Sequence, residues 1–204
     1  MKKIFFISII TLLFTIQTSP LFAQDFSLSK VPKQISVEFG YRNSFYQNTG
    51  LTNDATITGL PNNATNGYGL LVDYAWQLSG LNGKKPAIFL SIPIGYSVLL
   101  PSDATSRMVF MLNYGWTIRH ELTKKRKIVP FIGYGLFLNN LKPDGIDGSV
   151  TGHQTQFEGG VNFNVSKRLK YFVKLQCSYS SYPKLNYAKS LHFMYADLRV
   201  GVRF

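Results

Sequence analysis

The sequence predicts an all-β protein, a closed antiparallel eight-stranded transmembrane β-barrel that follows an N-terminal signal peptide. Three observations lead to this fold class. Apolar and polar side chains alternate at nearly every step between Met108 and Leu122 and in seven further segments, which indicates strands with one apolar face. The connections between these segments alternate in kind, between polar ones, two of which are long, and tight basic ones. No apolar stretch is long enough to cross the roughly 30 Å hydrocarbon core of a membrane as a helix.

The first 23 residues have the composition of a secretory signal peptide. Lys2 and Lys3 supply the positive start, residues 4–16 supply the apolar stretch, and Ala23 is a small residue ahead of the expected cut. The chain therefore divides into a signal peptide at 1–23 and a barrel domain at 24–204. Cleavage near Ala23 implies export, and the single Cys177 cannot form an internal disulfide in that compartment.

Eight strands account for the barrel domain, because each alternating segment is bounded by turn-forming residues. The predicted strands lie at 35–46, 68–78, 87–100, 108–122, 128–138, 154–165, 169–182 and 191–204. In the segment 128–138 both faces are apolar, so its register stays open, although Gly133 and Gly135 favour one side inward. Pro93 removes a ladder donor in the segment 87–100, which predicts a bulge or an interrupted pairing there.

The connections differ in kind at the two ends of the predicted barrel. Polar connections rich in Asn, Gly, Asp, Thr and Pro lie near 47–67, 101–107, 139–153 and 183–190. Tight and basic connections lie near 79–86, 123–127 and 166–168. Long loops at one end and short turns at the other are typical of bacterial outer-membrane barrels, whose short turns face the periplasm.

Positive charge collects in the short turns. The chain has 22 Lys and Arg against 10 Asp and Glu, and the mature net charge is about +10 once Lys2 and Lys3 are removed. Eight cations lie in the short turns: Lys84, Lys85, Lys124, Lys125, Arg126, Lys127, Lys167 and Arg168. We expect them to contact phospholipid headgroups. A basic groove interleaved with stacking aromatics is not evident, so nucleic acid is excluded as a partner.

Ten charged side chains fall on the strand face opposite the bulky apolar residues. They are Glu38, Arg42, Asp73, Arg119, Glu121, Glu158, Lys174, Asp197, Arg199 and Arg203. An eight-stranded barrel has an interior just wide enough for its own side chains, so the many aromatic residues of the apolar face cannot fit inside. Glycines on the polar face relieve crowding there, namely Gly40, Gly69, Gly95, Gly115, Gly160 and Gly201. The bulky face therefore points outward into lipid.

These ten side chains, five acids and five bases, form the candidate site. An unpaired charge in a narrow interior is costly, so we expect them to pair into a network with neighbouring Asn, Gln and Ser. A balanced and plugged interior conducts poorly, which favours a structural role. An ion or proton path is the alternative use of the same residues.

No enzyme, cofactor or metal site is predicted. His153, Thr155, Ser181 and His192 could share the outer rim of the barrel, but no outward carboxylate is there to orient a histidine. His, Cys and carboxylate pairs at metal-ligand spacing are also lacking. The sequence therefore favours a non-enzymatic protein without a cofactor.

The chain resembles the eight-stranded outer-membrane barrel families typified by OmpA and OmpX and by the PorT-like barrels of Bacteroidetes. The resemblance depends on the alternation, on Leu21-Phe22-Ala23-Gln24, and on the last strand, Tyr195-Ala-Asp-Leu-Arg-Val-Gly-Val-Arg-Phe204. A terminal Phe204 preceded by Val202, Val200 and Leu198 at every second position is similar to the assembly signal of such barrels. The resemblance implies insertion into a bacterial outer membrane by the barrel-assembly machinery, with loops displayed outside.

The leading functional hypothesis is a monomeric, porin-like but non-enzymatic barrel of the Gram-negative cell envelope. Its loops, above all 47–67, would serve envelope integrity, adhesion or partner contact. Outer-membrane lipid, lipopolysaccharide and a protein partner at the loops are the expected contacts. Two alternatives remain open: a component of a PorT-like protein-export assembly, and a narrow channel for small solutes or a hydrophobic ligand.

Overall fold

The computed structural model describes residues 32–48, 66–80, 86–101, 108–123, 127–145, 148–166, 169–183 and 191–204. The expected signal peptide at 1–23 lies outside these residues. A search of the described residues found no helix with the length and hydropathy needed to cross a membrane.

Eight strands form one closed sheet in which every strand is antiparallel to both neighbours, and this confirms the predicted closed antiparallel eight-stranded barrel. The strands are β1 Lys33–Asn48, β2 Asn66–Ser79, β3 Ile88–Leu99, β4 Val109–Glu121, β5 Ile128–Pro143, β6 Val150–Asn164, β7 Lys170–Tyr182 and β8 Leu191–Arg203. Their order in the sheet is their order in the chain. The joins after β1, β3, β5 and β7 therefore share one end of the barrel, called the loop end here, and the other three joins share the turn end.

The barrel closes through β1 and β8, with Ser36 opposite Arg203 and Ser44 opposite Tyr195. The strands are also staggered along the barrel axis. A path that starts at Gln34 of β1 and passes through the paired residue on each of β2 to β8 returns to β1 at Ser44. That return point lies ten residues further along the same strand. Such a stagger tilts the strands and, together with their number, fixes the width of the bore.

Burial alternates along each strand in the register that the sequence predicts. In β3 and β7, for example, every second residue is buried and the residues between them are exposed or half-exposed. The exposed positions carry large apolar side chains such as Ile94, Leu175 and Phe157, which are 56%, 56% and 65% exposed. In β5, whose register was open, Gly133 and Gly135 lie in the inward register together with the buried Phe131 and Phe137.

Pro93 interrupts the ladder without shifting its register. Between β3 and β4 the pairing runs to Ser91 opposite Thr117 and resumes at Ile94 opposite Tyr114. The interruption fits the missing amide hydrogen of Pro93. Bulges occur elsewhere, between Ser44 and Tyr46 in β1 and between Gln77 and Ser79 in β2.

The predicted loop at 139–153 is mostly strand, and the prediction is wrong there. β5 runs on to Pro143 and β6 begins at Val150. The sequence prediction treated Asn139 and its neighbours as loop residues. In the structure Asn139 is buried, and its amide donates to Gln154 Oε1 at 2.7 Å and to Ser180 Oγ at 3.2 Å. Amide side chains satisfy one another inside the barrel, so they extend this hairpin instead of ending it.

Gly115 of β4 lies where the neighbouring strand comes closest. A Cβ atom at this position would overlap the carbonyl oxygen of Leu136 and lie 2.7 Å from the Cα of Phe137. Both of these are backbone atoms, so no side-chain rotation relieves the contact. Gly159 of β6 is the opposite case, because the nearest atom to an added Cβ is 4.0 Å away.

We therefore expect Gly115→Ala to hinder closure of the barrel and Gly159→Ala to be tolerated. In Gly115→Ala the added Cβ forces two paired strands apart. Overpacking of this kind lowers the free energy of unfolding by about 1–3 kcal/mol. Heat-dependent mobility on SDS gels after refolding into detergent reports closure. Equal folded fractions for the two variants would contradict the close approach.

Candidate functional site: the barrel interior

The structure places all ten predicted lumen charges in the barrel interior. Every one of them is buried, and they lie on β1, β2, β4, β6, β7 and β8. An eleventh inward charge, Lys170, was missed by the sequence analysis, although it shares the register of Lys174. Its ammonium group lies 3.4 Å from Glu121 Oε1.

Asp197 of β8 is the centre of one group of ions. Arg42 of β1 donates to both carboxylate oxygens of Asp197, from Nε and from Nη2, each at 2.8 Å. Arg199 Nη2 and Gln176 Nε2 donate to the same carboxylate at 3.0 Å and 3.2 Å. Asp197 is fully buried, and a buried carboxylate is stabilised only when its lone pairs are filled in this way.

Lys174 of β7 is the centre of a second group. Its Nζ donates to Glu158 Oε2 at 2.7 Å and lies 2.9 Å from Glu38 Oε2. Glu38 is also 4.0 Å from Nη1 of Arg199, which joins the two groups. Gln156 donates to Glu158 at 3.3 Å. The central interior is thus a continuous polar network that links four strands.

Asp73 of β2 stands apart from both groups. The hydroxyl of Ser36 donates to its Oδ2 across 3.5 Å. No Lys or Arg of the described residues lies within 4.0 Å of its carboxylate. The other Asp73 oxygen, Oδ1, is buried without a hydrogen-bond partner.

Aromatic rings and cations fill the turn end of the interior. The Arg203 guanidinium carbon lies 3.9 Å from the ring centre of Phe172 and 4.9 Å from that of Phe131. The Arg119 guanidinium carbon lies 4.6 Å from the ring centre of Phe89 and 5.8 Å from that of Phe131. Cation–π contacts of this kind are strengthened where water is excluded.

An apolar layer closes the loop end of the interior, and the sequence analysis did not foresee it. The layer consists of Leu99, Val109, Met111, Leu141, Val150, Tyr182, Phe193 and Tyr195. Phe193 packs against both tyrosines, with ring centres 5.7 Å from Tyr195 and 5.8 Å from Tyr182. These residues lie in the same inward register as the lumen charges. That register is the sequence signal from which the apolar layer could have been predicted.

The rim residues that were weighed as a catalytic group do lie together. His153, Ser181 and His192 face one another across β6, β7 and β8. His192 Nδ1 is 2.7 Å from the hydroxyl of Tyr179 and the two rings stack. All five carboxylates of the described strands are buried in the lumen, so none of them orients these histidines.

Of the eight cations predicted in the short turns, only Lys127 belongs to the described part of the chain, and the other seven lie outside it. Within the described ranges, no cluster of three or more His, Cys, Asp or Glu could hold a metal ion.

Comparisons with known proteins support the fold. No protein-family model matches the sequence, and no curated protein matches it. The crystal structure of Neisserial surface protein A is similar, with a TM-score of 0.59 and 15% identity, over 84% of this chain and 95% of the other. The solid-state NMR structure of outer membrane protein AlkL in lipid bilayers has a TM-score of 0.51 and 11% identity, over 89% and 93%. The chain has the fold of the eight-stranded outer-membrane β-barrels.

The lumen network predicts a large cost for breaking the Asp197 group. Asp197→Asn removes the charge that two buried guanidinium groups share, and we expect the free energy of unfolding to fall by about 3–5 kcal/mol. Urea unfolding in detergent micelles measures this.

The matched control replaces both partners with apolar residues, Arg42→Met together with Asp197→Leu. This pair should recover part of the loss, because Arg42 no longer needs a partner. Arg199 still loses Asp197 and keeps only Glu38 at 4.0 Å, so recovery should be incomplete. A single variant as stable as the parent would show that the network does not hold the strands.

Proposed function

We propose that this protein is a non-enzymatic barrel of the bacterial outer membrane whose loops serve envelope integrity, adhesion or partner contact. The observation that carries the proposal is the combination of an apolar exterior with a filled interior. The exterior suits lipid, and the filled interior leaves the loop end as the part of the molecule that is free to make contacts.

The exterior supports placement in a membrane. Its exposed side chains include Phe39, Leu70, Ile94, Ile132 and Leu198 on five different strands. An apolar surface of this extent on a water-soluble monomer would promote aggregation. In lipid, by contrast, the closed hydrogen-bonding ladder leaves no strand edge without a partner.

The last strand supports delivery by the barrel-assembly machinery. Leu198, Val200 and Phe204 are exposed on the outward face, and Val202 lies in the same register. The assembly machinery could recognise these apolar side chains, because they point away from the barrel interior. Lipid and lipopolysaccharide would then surround the inserted protein, which we propose to be a monomer.

The interior supports a structural role over a channel. Paired ions and amides cross its centre, and the apolar layer at the loop end is almost wholly buried. A conducting path needs a continuous hydrated route, and an apolar constriction of this kind opposes hydration. The loop-end connections, including 49–65, therefore remain as the candidate contact surface.

Purified protein in planar bilayers is expected to show no steady single-channel conductance, because the loop-end layer and the ion network both block the bore. A porin of known conductance, inserted under the same conditions, controls for bilayer quality. A steady open pore would contradict the proposal. A stable stoichiometric complex recovered in mild detergent would favour the export-assembly alternative instead.

Membrane placement predicts that the cost of a charge depends on its depth. Leu175 lies near the middle of β7 and Val165 lies at the turn end of β6, and both are exposed. Leu175→Arg should lower stability in lipid vesicles by about 2–4 kcal/mol, and Val165→Arg by about 0–1 kcal/mol. Equal costs in vesicles would argue against a lipid-facing belt.

A further inference from the structure

The inward charges of the described strands do not balance. Five carboxylates face six cations, because Lys170 adds to the five basic residues predicted from the sequence. Arg42, Lys170, Lys174 and Arg199 each lie within 4.0 Å of at least one carboxylate. Arg119 and Arg203 do not, within the described ranges. These two arginines at the turn end carry two positive charges, and Asp73 is the one carboxylate of the described strands that has no cation within 4.0 Å, which accounts for the excess of one positive charge.

Both arginines are almost completely buried, with 2% and 1% of their surface exposed. Arg119 Nη2 donates to Gln34 Oε1 at 3.0 Å, and Arg203 Nη1 donates to Asn162 Oδ1. The Nε atoms of both guanidinium groups are buried without a hydrogen-bond partner. Neutral amides fill some of the donors, and the carboxylates of the described interior act on these two charges only from beyond 4.0 Å.

The two guanidinium groups lie beside the same aromatic ring. Their carbons are 5.8 Å and 4.9 Å from the centre of Phe131, so both charges belong to the same region of the interior. Like charges that share a region repel, and the repulsion is strong where water is excluded. The aromatic rings offset part of this cost through their quadrupoles, but they carry no net charge.

We propose that Arg119 and Arg203 form a binding site for a small monovalent anion, of which chloride is the simplest example. One such ion matches the excess of one positive charge in the described interior. It would also accept hydrogen bonds from the two Nε groups. Burial restricts the ligand to a small ion, because side chains exposed by only 1–2% leave little room for an organic anion.

Two other sources of negative charge fit less well. Asp73 is the carboxylate without a cation partner, but neither arginine lies within 4.0 Å of it. Phospholipid phosphates lie on the outside of a barrel, whereas both arginines lie in the inward register. A free ion can enter from the turn end, where the side chains of Lys170 and Glu121 retain 18% and 11% exposure.

The test measures urea unfolding of the mature protein in detergent while sodium gluconate is replaced by sodium chloride at constant ionic strength. Constant ionic strength separates binding from general screening. Above the dissociation constant, a tenfold rise in chloride should lower the unfolding equilibrium constant by about tenfold. Stability that does not depend on chloride would overturn the proposal.

Three variants locate the effect. Arg203→Gln and Arg119→Gln should each abolish most of the chloride dependence, and either one suffices if the other does not fold. Arg42→Gln is the matched control, because it also removes one buried cation, but one that Asp197 already pairs. It should unfold more easily yet keep the chloride dependence. Loss of that dependence in Arg42→Gln would point to total interior charge and overturn the local site.

A second measurement needs no variant. Crystals of the parent protein grown or soaked in bromide should give an anomalous peak within hydrogen-bond distance of Arg119 and Arg203, and chloride should compete it away. Bromide peaks found only on the protein surface would overturn the proposal. This result is independent of conductance and of loop contacts, so it separates failure of the anion site from failure of the proposed function.

Discussion

Closure of the hydrogen-bonded sheet on itself is the constraint from which the other features follow. Closure leaves no strand edge without a partner, which a membrane requires, and it fixes the bore through the strand number and the ten-residue stagger. A bore of that width holds only a limited volume of side chain. The inward register must therefore mix glycines such as Gly115 and Gly160 with the long side chains that cross the centre.

The ions that fill the bore help to select a single register for each strand. A one-residue slip of any strand would move its charges from the interior to the lipid-facing side. Arg42, Lys174 and Asp197 connect β1, β6, β7 and β8 through bonds of 2.7–3.2 Å. A wrong register would break these bonds and leave the charges without partners in lipid, which is costly. The network therefore disfavours wrong registers more strongly than it stabilises the correct one.

The number of strands, their register and the inward charges could be predicted, because all three follow from the alternation of apolar and polar side chains at every second residue. The extent of the fifth and sixth strands could not, because Asn139 carries the same signal in a loop and in a polar lumen. The loop-end layer escaped notice for a related reason: Leu99, Met111 and Phe193 are apolar residues in a register identified by its charges. Lys170 was overlooked at the edge of its strand, although the register alone places it inside.

The interior differs at its two ends, and this difference bears on the function. At the loop end, Tyr182 is the last residue of β7 and Phe193 is the third residue of β8, and their rings pack together. Under the proposed function, this apolar layer would support loops that carry the contacts of the protein. At the turn end the interior is cationic, and the side chains of Lys170 and Glu121 keep 18% and 11% exposure. A solute crossing from that side would meet first the ion network and then the apolar layer, and this order of obstacles is what supports the proposed display role over the channel alternative.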